Sequence, residues 1–260
     1  MTDLTPSDRE RLALAKQQLT EQSIAGRVAE LIGTPIEKGL AMLPAKARGV
    51  VDRAATEAIQ KALEVAILTL GGGKGGPVNE RLSLAFAALT GGVGGLFGLP
   101  ALIVELPVST TLMLRAIAEI ARHHGEDLTE IEARLACLQV FALGGPQTQD
   151  DGADTSYYAT RLAIGRLTSD AARHLLTRGA AAREAPAVVR FISAVAARFG
   201  LVVTEKALAA ALPAIGAIGG ATVNTIFMDH FQELAHGHFT VRSLERTYGE
   251  PSVKAAFERI

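Results

Sequence analysis

The chain has no tryptophan, one cysteine and only 5% aromatic residues, although 48% of its 260 residues are hydrophobic. Its apolar content is therefore mainly Ala, Leu, Val and Ile. That favours closely packed helices over sheets, because strands are enriched in β-branched and aromatic residues. A single cysteine cannot close an intramolecular disulfide, and Cys137 sits in the apolar run Ala136-Cys137-Leu138, where a buried, inert thiol is expected. An excess of one charge is missing too: 26 Lys and Arg face 27 Asp and Glu, a formal net charge of -1. This balance gives no electrostatic footprint for nucleic acid and no strong general attraction to anionic lipid, while leaving room for a local basic face. The charge-dense stretch Met1 to Gln18 lacks the apolar core of a signal peptide, so a cytoplasmic setting is expected.

Helix signals run through the sequence. Thr5-Pro6-Ser7-Asp8 supplies an N-cap, a proline at the first helical position and an acidic residue in the first turn. From Pro44 to Leu68, Val51, Ala55, Ala58, Ala62 and Val65 recur at three- and four-residue steps, with Asp52, Gln60, Lys61 and Glu64 between them, an amphipathic pattern with a small-residue face. Arg122-His123-His124 before Gly125 reads as a basic helix end, and Asp127 to Glu132 as the next capping signal. Gly144-Gly145-Pro146 closes that helix. A run beginning at Tyr157 puts Leu162, Gly165, Ser169, Ala172 and Leu176 on one face, Gly179 ends it, and Pro251 starts a short terminal helix.

Two stretches carry no formal charge, Leu82 to Val104 and Ala207 to Met228. Each exceeds the roughly 18 residues that make a membrane-span candidate, but each is interrupted by glycine and proline. Gly91 with Gly95, Gly94 with Gly98, and Gly216 with Gly220 are GxxxG pairs, which remove side-chain bulk so that another backbone can approach, in lipid or in a soluble core. These six glycines are expected at close helix contacts. Two readings stand open: buried central hairpins of a soluble protein, or segments that contact a bilayer through Leu96, Phe97 and Leu99.

The phrases Gly94-Gly95-Leu96-Phe97-Gly98-Leu99-Pro100, Val104 through Arg115, Cys137 through Gly145, and Asn224 through Phe231 resemble the EcsC family. The resemblance covers roughly residues 80 to 250 and is loose before Gly71. The family is named for a protein encoded beside the ATPase and membrane subunits of an ABC transporter. The resemblance therefore implies a bacterial intracellular setting, peripheral to the inner face of the membrane, and partners such as membrane lipid or an ABC transporter. It implies no catalytic residue.

Polar constellations point elsewhere. On a helix Asp229, Glu233 and His236 share one face at i, i+4 and i+7. Carboxylate and imidazole together suit zinc, manganese or iron, or acid–base chemistry; a capping and hydrogen-bond cluster is the plainer alternative. Glu105, a lone carboxylate after a long apolar run, needs a partner if buried, with Arg115, Asp229 or His236 as candidates, and is a further metal ligand in the first reading. Two motifs are set aside. Gly71 to Pro77 contains a lysine but lacks the Gly-Lys-Ser/Thr ending of a phosphate loop. Asp150-Asp151-Gly152-Ala153-Asp154 resembles a diphosphate-binding motif but lies in an apparent loop, where an acidic N-cap explains it better.

The expected fold is all-α, a mainly antiparallel multi-helix domain with two central Gly-rich apolar segments. Residues 1-70 form N-terminal amphipathic helices, 71-78 a Gly-rich linker, and 79-260 the helical core, together one integrated domain. The expected function is a membrane-associated or lipid-binding accessory protein without an assigned reaction. The alternative is a metal-dependent hydrolase using the C-terminal Asp/Glu/His cluster.

Overall fold

The computed structural model describes residues 4–20, 23–32, 45–71, 99–144, 153–211 and 220–260. Among them no strand forms, and the fold is all-α. In chain order the helices are α1 (Pro6–Thr20), α2 (Ile24–Ile32), α3 (Ala45–Thr69), α4 (Leu99–His123) and α5 (Ile131–Leu143). They continue with α6 (Ala153–Arg178), a 3-10 turn (Gly179–Glu184), α7 (Pro186–Ala211), α8 (Gly220–Tyr248) and α9 (Glu250–Arg259).

The helix ends follow from their residues. The Thr5 hydroxyl accepts from the Asp8 N–H at 3.2 Å and donates to the Asp8 carboxylate at 2.8 Å, so α1 starts at Pro6 as expected. After α4, Gly125 takes φ +82°, the Gly125 N–H donates to the Arg122 carbonyl and the Glu126 N–H to the Ala121 carbonyl. This is the Schellman pattern, whose left-handed residue favours glycine. Cys137 is fully buried on α5 and its thiol is pushed up to about 12, chiefly by burial, which leaves it protonated and unreactive at neutral pH.

Packing is organised around α8, which touches α1, α2, α4, α5, α7 and α9. Phe227 and Phe231, one turn apart on α8, meet Phe141 from α5 and Phe199 from α7, with ring centroids 5.1 to 6.0 Å apart. All four rings are fully buried, and burying each contributes about 1.5–3 kcal/mol. The expected inner face of α3 packs on α4 and α7, with Val51, Ala55, Ala58 and Ala62 buried and Asp52, Gln60 and Lys61 outward. The N-terminal helices thus share the core of the later ones.

Three findings modify the expectations. The face of α6 that holds Leu162, Gly165, Ser169 and Leu176 is turned largely outward, with only Ala172 buried; Tyr157, Ile164, Thr168, Ala171 and Leu175 point in. Gly144 closes α5 at φ -80°, so its lack of a side chain reflects close approach: a Cβ there would lie 2.9 Å from His230 Nε2 and 3.2 Å from Phe231. Finally, Gly91, Gly94, Gly95, Gly98 and Gly216 lie outside the described residues, as do the surroundings of Gly220. A close small-residue crossing is instead present at Gly237 on α8, where a Cβ would come within 2.8 Å of Leu19 and 2.9 Å of the Ala15 carbonyl oxygen on α1.

Candidate functional site

Asp229 and Glu233, in the first half of α8, are answered by a cation from the N-terminal region. Arg27 on α2 donates to Asp229 at 3.4 Å and also pairs with Glu233. One turn further, His236 turns to a different neighbour: its Nδ1 lies 3.4 Å from His124 Nε2, just past the end of α4. Burial first, then the charges of His236, His123, Arg11 and Arg246, lower the pKa of His124 to about 4. Asp229 and Glu233 therefore sit in an ion-pair network, while His236 faces His124. Among the described residues no group of three or more His, Cys, Asp or Glu side chains could hold a metal ion. This does not favour the metal-dependent reading of Asp229, Glu233 and His236.

Glu105 is also placed differently from the sequence expectation. Its partner is Lys206 on α7, at 2.8 Å, while Arg115 is exposed. Lys206 also donates to Asn224 Oδ1 at 2.8 Å and stands 4.5 Å from the centre of the Phe227 ring. Burial lowers the lysine pKa, and the Glu105 charge and hydrogen bond oppose that shift. The arrangement ties α4, α7 and α8 together where the ammonium has few other sources of solvation. Far from the reacting groups expected of a hydrolase, this is a buried ion pair with its hydrogen bonds satisfied by the fold.

Two further polar assemblies pin α8. Glu126, in the loop after α4, accepts two hydrogen bonds from Arg242, at 2.8 and 2.9 Å, and a third from Arg246. Burial would raise its pKa, but these hydrogen bonds and charges outweigh it and hold the carboxyl below its ordinary range. Inside the core, the Tyr157 hydroxyl lies 3.0 Å from His238 Nδ1. Both residues are buried, which places Tyr157 in the core, and burial drives the His238 pKa well below its usual value.

The outer side of α6 and α7 is the least expected surface. Leu162 (59%), Leu176 (66%), Val189 (46%) and Leu201 (49%) are exposed large apolar residues on these two packed helices. Along α6 a groove of about 540 Å3 opens beside Leu162 and Gly165, with Arg161, Arg166 and Arg173 in its lining. A Cβ at Gly165 would meet nothing within 4 Å, so the groove is open there. The seven-residue spacing of Arg166 and Arg173 was available in the sequence as a signal of a shared basic face.

Leu96 and Phe97 lie outside the described residues, and Leu99 opens α4 with its side-chain surroundings outside them too. Among the described residues one stretch, Pro186–Leu208 in α7, is long and apolar enough to cross a membrane, and 56% of its apolar window is buried. This is neither of the two charge-free segments singled out from the sequence. Length and composition alone do not separate a core helix from a span.

The EcsC protein family matches residues 5–244. The match begins within the N-terminal helices, well before the loose boundary drawn from sequence phrases alone. No curated protein and no solved structure shows a significant match to the chain. The chain belongs to the EcsC protein family.

Proposed function

We propose that this EcsC-family protein is a non-enzymatic accessory protein that binds lipid or docks on a membrane surface, on the cytoplasmic side. The observation that carries this reading is the exposure of four large apolar residues on two adjoining helices, Leu162 and Leu176 on α6 and Val189 and Leu201 on α7. Exposed apolar side chains on neighbouring elements are the raw material of interaction surfaces. The apolar stretch of α7 behind them supports the reading, since only part of it is covered by the rest of the chain. Leu96 and Phe97, in the uncharged sequence before α4, belong to the same proposal as a second apolar contact.

Flotation with phosphatidylcholine vesicles tests it. Apolar contact predicts association that persists at about 1 M salt, where the screening length is about 3 Å, and that weakens when Leu96 and Phe97 are replaced by serine. Protein that stays wholly in the lipid-free fraction with both neutral and anionic vesicles would reject membrane association. Transporter partnership rests on the family's genetic setting alone and is a separate expectation, to be tested by co-purification.

A further inference from the structure

Between Ala159 and Arg190 six arginines stand against two carboxylates, in a chain whose net charge is -1. Positive charge is therefore concentrated on the α6–α7 hairpin. Within α6, Leu162, Arg166, Ser169, Arg173 and Leu176 follow at i, i+4, i+7, i+11 and i+14, which keeps them within about 40° of one line along the helix. Arg166 and Arg173 are roughly 10 Å apart along that line. An exposed leucine stands at each end of the basic stripe.

The groove is built on a fixed floor. Arg161 donates to both carboxylate oxygens of Glu245 from α8, at 2.7 and 2.5 Å, and the Tyr158 ring meets Phe257 from α9 edge to face. Two carboxylates also reach the groove, Asp170, which pairs with Arg173, and Glu250. Asp170 leaves Arg173 with free donors, because a guanidinium carries five N–H groups. Arg166 is exposed and has no ion pair among the described residues. Arg178 and Arg190 extend the same field beyond the groove, both of them exposed.

We propose that this groove receives the phosphate of an anionic phospholipid headgroup, held by Arg166 and Arg173 with the Ser169 hydroxyl between them. Arg matches phosphate oxygens with paired donors. The flanking leucines decide the source of the phosphate. A free anion would have no use for Leu162 and Leu176, whereas a helix lying at a bilayer interface combines arginines at headgroup level with leucines at the acyl boundary. The inference rests on the membrane reading above and deepens it: apolar contact supplies attachment, and the arginine stripe supplies preference for anionic lipid.

Cosedimentation with vesicles of phosphatidylcholine alone and of phosphatidylcholine mixed with phosphatidylglycerol separates the two claims. Each arginine near an anionic surface accounts for roughly a five-fold change in affinity. The pair Arg166→Gln and Arg173→Gln should therefore weaken binding to the anionic vesicles roughly 25-fold, and leave binding to neutral vesicles unchanged. Both side chains are exposed, so the circular dichroism spectrum should be that of the parent protein. Arg53→Gln, the loss of one exposed positive charge on α3, should have little effect. The inference is overturned, with membrane association intact, if neutral and anionic vesicles bind equally or if Arg53→Gln matches the double variant. Displacement by inorganic phosphate at constant ionic strength would mean a small-anion site and would overturn the lipid assignment. Absence of binding to either vesicle overturns both.

Discussion

Three histidines held neutral by the fold make acid the perturbation with the most direct magnitude. His230 and His238 are buried on α8, and the Nε2 of His238 has no hydrogen-bond partner among the described residues. Burial, then the Arg27 charge, lowers the His230 pKa to about 4. For His238, burial acts first, then the charges of Arg161 and Arg242, and the Tyr157 hydroxyl faces its other nitrogen. An unfolded histidine titrates near 6.5. As pH falls through that value the unfolded chain takes up protons that the folded chain refuses, so stability is complete above about pH 6.5 and is lost toward pH 4. At pH 5 a histidine still neutral in the fold costs about 2 kcal/mol. His238, whose burial also keeps it neutral, adds to this loss in the same direction, and half-buried His124 adds less because solvent screens it. These losses are a sizeable part of a stability of roughly 5–15 kcal/mol. Carboxylates held low, such as Glu126, keep their full contribution at about pH 5 and above and lose it only at more acidic pH, which keeps the windows apart. Urea unfolding followed by helical circular dichroism at pH 8 and pH 5 reads the difference, and His230→Gln should remove about 2 kcal/mol of it. Equal unfolding free energies at the two pH values would refute the reasoning.

Two further outcomes follow from the packing. Lys206→Met should destabilise the protein by roughly 3 kcal/mol, because it strands the Glu105 carboxylate, and adding Glu105→Leu should restore much of the loss; chemical denaturation of the single and double variants measures both. Gly237→Ala should cost about 1–3 kcal/mol, because the Ala15 carbonyl oxygen is backbone and cannot move aside as a side-chain tip would. An unchanged melting temperature in Gly237→Ala would show that α1 does not cross α8 so closely.

Helix ends were legible because each depends on chemistry within a few residues. Thr5 and Asp8 close the start of α1, Gly125 ends the basic terminus of α4, and Pro251 sits in the first turn of α9. The inward face of α3 was legible for a related reason: alternation of small apolar and charged residues leaves one choice of side. On α6 that logic gives two answers. Leu162 and Leu176 share one apolar stripe and Ile164, Ala171 and Leu175 another, and the packing of α5 and α7 along α6 decides which is covered. The family phrases that the structure describes are largely core: Leu106, Met113, Cys137, Phe141, Phe227 and Phe231 are all buried. Similarity concentrated in packing positions identifies a fold and leaves its surface chemistry unspecified.

The polar residues show the limit most sharply. Spacing along α8 correctly allows Asp229, Glu233 and His236 a common side, but the groups that meet that side come from distant sequence. Arg27 is 202 positions from Asp229, and His124 is 112 positions from His236. Arg27 engages both carboxylates and His124 faces the imidazole, so the groups that could have served a metal are drawn to two different neighbours. Glu105 teaches the converse. A lone carboxylate in an apolar stretch demands a cation, and Lys206 supplies it from the apolar run of α7. Lys206 stands directly after Glu205 in sequence, so desolvation calls for a partner without saying which carboxylate it is, and the packing of α4 on α7 and α8 decides. Arg166 and Arg173 follow the opposite rule: they are exposed, no desolvation cost forces a partner within the chain, and their charge is free to act on what lies outside it.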